Sequence, residues 1–185
     1  MGLCQVGSLG QEIFGQVEVQ PVKLAATVLF HLPSASRLRR AAPMDAYHTS
    51  VVVGSFEYGF SSVGIYICPP LQSHEHLKGK TKVLELGNTS VEPEVMVGTL
   101  DRYFAPGTYD LLRKNCNSFS DCALFTLLGL RLDAHYRRME RLGKAGQKKI
   151  GLMDILRLAG LSYKENPAAD GFEVDHVISE LESRL

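Results

Sequence analysis

Short runs of apolar and β-branched residues dominate the first half of the chain and predict β-strands. The segments with this pattern are 16–30, 46–53, 56–60, 64–68 and 81–86. We expect Pro21 to interrupt the first segment, because proline has no N–H group to donate to a neighbouring strand. The second segment is apolar on both faces, so it is predicted to lie in the centre of a sheet and to end at Gly54. We expect Gly87 and Asn88 to end the last of these strands, the one over 81–86.

Apolar residues at helical spacing predict helices in the second half of the chain. One helix is expected over 92–104 and another over 116–128, where Gly129 ends it. In the second of these, apolar residues recur every four positions at Phe119, Ala123 and Leu127. One face must therefore be buried, and we expect it to pack on the sheet. Two further helices are predicted, an apolar one over 150–161 and an acidic amphipathic one from Phe172 onward.

The composition is that of one compact globular domain. The chain has 185 residues, of which 45% are hydrophobic and 22% are charged, enough to form a core. Basic and acidic residues balance at 20 each, so the whole chain has no field that attracts nucleic acid, and no nucleic-acid partner is predicted. No apolar run approaches the ~20 residues that span a bilayer, so we expect no transmembrane segment.

The cysteines bear on compartment and on metal binding, and they are Cys4, Cys68, Cys116 and Cys122. We read no secretory signal at the N-terminus, so free thiols in a reducing compartment are expected, in the cytoplasm or the nucleus. No Cys-x-x-Cys pair occurs, which argues against structural zinc. The run from His74 to His76 could chelate a metal, but we expect a polar loop to leave these side chains solvated. Neither a metal nor another cofactor is predicted.

Cys116 is the first candidate for chemistry, because it stands at the start of the helix predicted over 116–128. A helix N-terminus carries about half a positive charge and unpaired N–H groups, and both favour a thiolate over a thiol. The same N–H groups can receive the oxyanion that forms when a carbonyl is attacked. The alternative is a small buried cysteine that happens to begin a helix.

His48 is the candidate base, because it lies near the start of the predicted central strand. A thiol nucleophile needs an imidazole within hydrogen-bond reach, to hold the thiolate and then to protonate the leaving group. The alternative is a core histidine whose nitrogens bond to the backbone. We predict a separation between the His48 and Cys116 side chains that suits one hydrogen bond.

Several segments resemble the PPPDE family, the permuted papain-like peptidases that include the desumoylating isopeptidases. In chain order they are Tyr47-His48-Thr49-Ser50-Val51-Val52-Val53, Glu57-Tyr58-Gly59-Phe60, Gly64-Ile65 with Cys68-Pro69-Pro70, Val83-Leu84-Glu85-Leu86-Gly87-Asn88-Thr89, and Tyr109-Asp110-Leu111-Leu112 leading to Asn115-Cys116-Asn117-Ser118-Phe119. Their common order and compatible spacing make the resemblance specific over residues 17–143.

The resemblance implies an α+β, permuted papain-like fold, in which a small antiparallel sheet or barrel packs on helices and His precedes Cys. It makes His48 and Cys116 the catalytic dyad, with Glu57 and Asn117 as candidates for orienting the base or stabilising the oxyanion. We divide the chain accordingly into a loose segment 1–15, a peptidase domain 16–143 and a helical extension 144–185. Ser118 stands where the family usually has His, and this change is expected to affect local packing or substrate choice more than the dyad.

Three functions remain open at this point. The resemblance implies a thiol isopeptidase or protease that cleaves SUMO or ubiquitin conjugates after the modifier's C-terminal glycine, in a cleft lined by Tyr58, Phe60 and Tyr66. A thioesterase or acyltransferase with the same dyad, acting on long acyl chains, is the second reading. The third is an inactive adaptor that binds partners through the basic stretch 137–149 and the acidic C-terminal helix. Family members can pair as homodimers, so a homodimer is open here as well.

Overall fold

Five antiparallel strands form a sheet in the computed structural model, which describes residues 18–32, 44–138 and 163–183. The strands are β1 (Gln20–Leu32), β2 (Met44–Val53), β3 (Phe56–Ser61), β4 (Gly64–Cys68) and β5 (Thr81–Thr89). Across the sheet their order is β4-β3-β2-β1-β5. Within the described residues, β4 and β5 are therefore the edge strands.

The strand that carries His48 is central in the sheet, as predicted. β2 pairs with β1 on one side and with β3 on the other. Successive side chains of a strand point to opposite faces, so Val51 and Val53 enter the hydrophobic core while His48 and Ser50 point to the other face. The strand ends at Val53, before Gly54, whose φ of 56° is readily adopted by glycine.

Two predicted strand boundaries are wrong, and a β-bulge accounts for both. Pro21 lies inside β1 as its second residue, where it pairs with Asn88 next to a bulge between Val22 and Lys23. Near a strand end and beside a bulge, the missing N–H group of proline is tolerated. At the same bulge Gly87 has a φ of 136°, so β5 continues through it to Thr89 and does not stop there.

Three α-helices accompany the sheet in the described residues: α1 (Pro93–Leu100), α2 (Cys116–Leu128) and α3 (Val174–Glu182). A 3-10 turn over Asp101–Tyr103 continues α1, so the helix predicted over 92–104 forms with a tighter last turn. α2 has the predicted bounds, ends at Gly129 with a φ of 67°, and packs its apolar face on the sheet. The predicted α+β class is confirmed.

The C-terminal helix completes the core. Val174, Val177, Ile178 and Leu181 of α3 are buried in the same cluster as the apolar faces of α2 and β2. Arg131 links the buried Asp121 of α2 to Asp175 of α3, with nitrogen–oxygen distances of 2.9 and 2.7 Å. The acidic amphipathic helix predicted from Phe172 onward is thus confirmed.

Other predictions concern residues outside the described part of the chain. These are the domain boundaries after residues 15 and 143, the position of Cys4, the helix over 150–161 and most of the basic stretch 137–149. Among the helices that the structure does describe, none combines the length and apolar character that crossing a membrane requires.

Candidate active site

The start of α2, where Cys116 is the first residue, is held by a capping box. The Asn115 side-chain oxygen accepts hydrogen bonds from the backbone N–H groups of Asn117 and Ser118, at 2.9 and 3.2 Å. The Ser118 hydroxyl accepts in return from the Asn115 backbone N–H at 3.1 Å. Ser118 therefore has a local structural role. Two of the N–H groups that we expected to receive an oxyanion are bonded to Asn115.

Asn117 joins the start of α2 to β2. Its side-chain oxygen accepts from the Thr49 hydroxyl at 2.8 Å, and its side-chain nitrogen donates to the Tyr47 carbonyl oxygen at 3.2 Å. The Cys116 thiol lies 3.8 Å from the same Asn117 oxygen. Tyr47 and Thr49 flank His48 in sequence, so these bonds fix the Cys116 end of α2 against the His48 segment of β2.

His48 is held by the half-buried Ser73 and the buried Glu57, on the face of β2 opposite Thr49. Its Nε2 lies 2.8 Å from the Ser73 hydroxyl oxygen, and that hydroxyl donates a short hydrogen bond to the Glu57 carboxylate. The Ser73 backbone N–H also points to Glu57, at 3.4 Å. Because the single hydroxyl hydrogen of Ser73 goes to Glu57, Nε2 of His48 must be the donor to Ser73. Nδ1 of His48 then carries the lone pair that can take a proton.

A second imidazole, His74, lies against His48 with 4.7 Å between the ring centroids. Its Nδ1 is 2.7 Å from the Thr27 hydroxyl, and its Nε2 is 2.9 Å from the Ser50 hydroxyl. The same Nε2 is 3.7 Å from a Glu57 oxygen. His74 is thus a buried polar group that several neighbours satisfy.

The donor set for a metal ion in the described residues is His48, Glu57 and His74, whose ligand atoms lie within 4.8 Å of one another. Two imidazoles and a carboxylate suit zinc. In this structure, however, the hydroxyls of Ser73, Ser50 and Thr27 occupy three of the four imidazole nitrogens, all but Nδ1 of His48. Glu75 and His76, which we considered with His74 as chelators, are exposed.

Burial governs the protonation of both imidazoles. Burial first, and then the neighbouring His74, lower the pKa of His48 from 6.5 to about 4, while Glu57 acts in the opposite direction. Burial likewise lowers the pKa of His74. His48 is therefore neutral at pH 7, which is the state in which an imidazole accepts a proton.

His48 and Cys116 line two adjoining cavities at the end of the sheet. The larger, of about 400 Å³, is lined by His48 together with Ser73 and several apolar or aromatic side chains. The smaller is lined by Cys116 and its two neighbours in sequence. Leu29 and Tyr109 form walls of both cavities, so the two cavities meet at these residues.

Two of the three aromatic residues predicted for the cleft line the larger cavity, and the third does not. Phe60 and Tyr66 line it. Tyr66 fits because Gly59 pairs with it, and a Cβ atom at Gly59 would overlap the tyrosine hydroxyl. Tyr58 pairs with Val51, further from the end of the sheet, and lines a separate cavity beside α1. Its role in binding a modifier tail stays a prediction.

Three residues at the site were given no role in the sequence analysis: Ser73, Tyr109 and Asn115. The capping role of Asn115 was detectable, because Asn followed three positions later by Ser at the start of an apolar helix is a helix-start signal. Ser73 lies on a 3-10 turn over Gln72–His74, and Tyr109 lies in the loop before α2. No periodicity marks either residue, and only the folded chain brings them to His48 and Cys116.

The low pKa of His48 predicts an acid-sensitive stability. Its folded value of about 4 lies below the ordinary 6.5, so the unfolded chain binds the proton first and stability is lost as pH falls from 6.5 towards 4. We expect His48 alone to account for about 2 kcal/mol of unfolding free energy lost between pH 7 and 5. Urea unfolding at both pH values measures it. His48→Gln should remove its own share of the pH-dependent loss and leave that of His74, whose pKa is also lowered, whereas replacing the exposed His176 by Gln should remove nothing. An equal loss in both variants would contradict the assignment.

A peptidase family matches more than half of the chain. The family model described as "PPPDE putative peptidase domain" covers residues 39–153. The chain is 32% identical over 126 residues to desumoylating isopeptidase 1 of Homo sapiens, a match that covers 62% of this chain and 71% of that protein. The protein of the same name from Rattus norvegicus gives the same values.

A more distant relative extends the comparison to a fungus. The chain is 28% identical over 110 residues to the DeSI-like protein sdu1 of Schizosaccharomyces pombe, and the match covers 55% of each protein. Together the matches support a peptidase or isopeptidase role, and hence a hydrolase. With 39–153 matched by the family model and a human relative covered over most of its length, the chain belongs to the PPPDE peptidase family.

Proposed function

We propose that the protein is a thiol isopeptidase in which Cys116 is the nucleophile and His48 is the base. The observation that carries this proposal is the pair of Asn117 hydrogen bonds to Tyr47 and Thr49, which join the residue after Cys116 to the residues on either side of His48. The shared cavity walls Leu29 and Tyr109 support the same pairing. A thiol at a helix N-terminus and a neutral imidazole are the chemical partners that acyl transfer to sulfur needs.

In the proposed reaction, Nδ1 of His48 takes the proton of the Cys116 thiol as the sulfur attacks the carbonyl carbon of the isopeptide bond. The imidazolium then gives this proton to the departing lysine amine, and an acyl-enzyme thioester remains. Water attacks the thioester with the same imidazole as base, which releases the carboxylate and restores the thiol. The lowered pKa of His48 favours the neutral imidazole with which this sequence starts.

Glu57 is proposed to orient the base through Ser73. Both its oxygens face Ser73, one toward the hydroxyl and the other toward the backbone N–H. The Ser73 hydroxyl in turn fixes Nε2 of His48 as the protonated nitrogen. Glu57 thereby takes the orienting role that a third residue has in a nucleophile–base–acid triad, with one hydroxyl between acid and base.

A SUMO conjugate is the proposed substrate. Two relatives are named desumoylating isopeptidases, and a modifier tail that ends in glycine is thin and extended. β4 is an edge strand among the described residues, and its Tyr66 lines the His48 cavity. An extended tail can add its backbone hydrogen bonds to such an edge. Ubiquitin conjugates are the alternative modifier substrate, and a homodimer stays a prediction.

One observation favours a second candidate, a thioesterase or acyltransferase. The cavity beside His48 is walled by Leu29, Phe60 and Leu77 as well as two tyrosines, and an apolar wall suits an acyl chain. The same dyad would serve both reactions, so the substrate alone separates them.

Parallel assays distinguish these functions. Purified protein is incubated with a SUMO-conjugated protein, a ubiquitin-conjugated protein and a palmitoyl thioester, and product release is followed for each. We expect cleavage of the SUMO conjugate and its loss in Cys116→Ser. Cys122→Ala, which removes a buried thiol of the same helix, should retain it. Turnover of the palmitoyl thioester alone would establish the second candidate. Turnover of none of the three would leave the adaptor reading.

A further inference from the structure

Tyr109 stands at the junction of the two cavities. It lines both of them, and its ring packs against Phe60 with centroids 5.5 Å apart. Tyr109 and Cys116 line the smaller cavity together, and the Tyr109 hydroxyl interacts with the Cys116 sulfur. An O–H group is a better donor than a thiol, so Tyr109 is the donor when the two groups form a hydrogen bond. Burial first, and then Cys116, raise the pKa of Tyr109 above its ordinary value of 10, which keeps that hydrogen in place.

The backbone of the Tyr109 loop is held by a residue far along the chain. The Asn166 side-chain nitrogen donates to the carbonyl oxygens of Gly107 and Tyr109, at 2.8 and 2.9 Å. Both hydrogens of this amide are thereby used on one loop. The Asn166 side-chain oxygen accepts from the Ala168 backbone N–H at 3.0 Å, which fixes the orientation of the amide.

The neighbouring residue, Asp110, adds a second connection to the same segment. Its buried carboxylate accepts from the Tyr163 hydroxyl at 3.0 Å and from the Asn166 backbone N–H at 2.9 Å. The same carboxylate accepts from the backbone N–H groups of Leu112 and Arg113, both at 2.9 Å. Burial would raise the pKa of Asp110, but these hydrogen bonds, that from Asn166 first, bring it below its ordinary value. The carboxylate therefore stays ionised and bonded at neutral pH.

We propose that residues 163–170 are a positioning element of the active site, and that Tyr109 is the catalytic residue through which they act. Tyr109 stabilises negative charge on the Cys116 sulfur, and Asn166 and Tyr163 hold the loop that presents it. This inference rests on the proposed role of Cys116. Residues 163–170 lie beyond residues 39–153, which the family model matches.

The test is a double-mutant cycle on Tyr109 and Asn166, read by kcat and KM for conjugate cleavage and by the rate of Cys116 alkylation against pH. Tyr109→Phe removes one hydrogen-bond donor to a charged sulfur and should lower kcat by roughly 10²-fold. Asn166→Ala should lower kcat roughly tenfold with little change in KM, as expected for a displaced catalytic group. In the Tyr109→Phe background, Asn166→Ala should cost almost nothing more. Tyr163→Phe is the milder variant, which keeps the ring and should lower kcat severalfold.

The matched control is Glu180→Ala, which breaks a contact of the same C-terminal segment with Tyr103, away from the site. It should reduce thermal stability but leave kcat and the alkylation profile unchanged. Equal losses of activity in Glu180→Ala and Asn166→Ala, or additive losses in the double variant, would overturn the proposal. The proposed function fails separately, if alkylation of Cys116 in the natural protein is indifferent to His48.

Discussion

His48→Ala is expected to lower kcat/KM for conjugate cleavage by roughly 10³-fold, within the range that a positioned acid–base group contributes. The imidazole both takes the thiol proton and returns it to the leaving amine, so no second residue compensates for its loss. In the natural protein, activity should persist as pH falls below 6.5 and disappear only towards the His48 pKa of about 4. The direction follows because the base must be neutral to act.

Two measurements check this expectation. Cleavage rates are recorded from pH 4 to pH 8, and alkylation of Cys116 by iodoacetamide is followed by peptide mass over the same range. His76→Ala, which replaces an exposed histidine near the site, serves as the control and should match the natural protein. A His48→Ala variant that keeps its activity within threefold would remove His48 from the mechanism.

Ser73→Ala should lower kcat by roughly 10²-fold, the size of loss that a misplaced catalytic group produces. Without the hydroxyl, Nε2 of His48 loses the partner 2.8 Å away, so both the ring orientation and the preference for a proton on Nε2 are lost. Ser73→Thr keeps a hydroxyl and should restore most of the rate. Steady-state kinetics of the two variants measure the difference.

Ser55→Ala is the matched control for Ser73→Ala, because Ser55 is exposed in the turn between β2 and β3 and does not line the cavity of His48. Its rate should equal that of the natural protein. Glu57→Gln should reproduce the loss seen in Ser73→Ala, and the double variant should be no slower than either single variant. Full activity in Ser73→Ala would refute the orienting role of the Glu57–Ser73 pair.

Local patterns predicted the scaffold of the site well. The apolar run 46–53 and the four-residue repeat of α2 both indicate burial. Apolar side chains that reach the core recur with the period of the strand or helix that carries them. β2 is therefore central, and α2 begins at Cys116 and ends before Gly129. The strand boundaries predicted at Pro21 and Gly87 were wrong, because the bulge between β1 and β5 changes the hydrogen-bond pairing at those positions.

The period of an element did not predict which cavity a side chain lines, or which loop residues the fold brings to the site. Tyr58 and Phe60 share one face of β3 by alternation, yet they line different cavities, because the distance along the strand decides which end of the sheet each reaches. Ser73, Tyr109 and Asn166 lie in segments where no period constrains the side chain. Their backbone or side chains make contacts with residues 16 to 59 positions away.

The sequence by itself determined the two candidate residues, the elements that carry them and the family, since each depends on local pattern or on motifs in one order. The tertiary structure alone decided the environment of those residues. Burial next to His74 lowers the His48 pKa, Ser73 and Glu57 assign its tautomer, and Asn166 fixes the loop of Tyr109. The physical reason is that pKa values and hydrogen-bond directions depend on distances of a few ångströms between groups remote in sequence, and those distances exist only once the chain has folded.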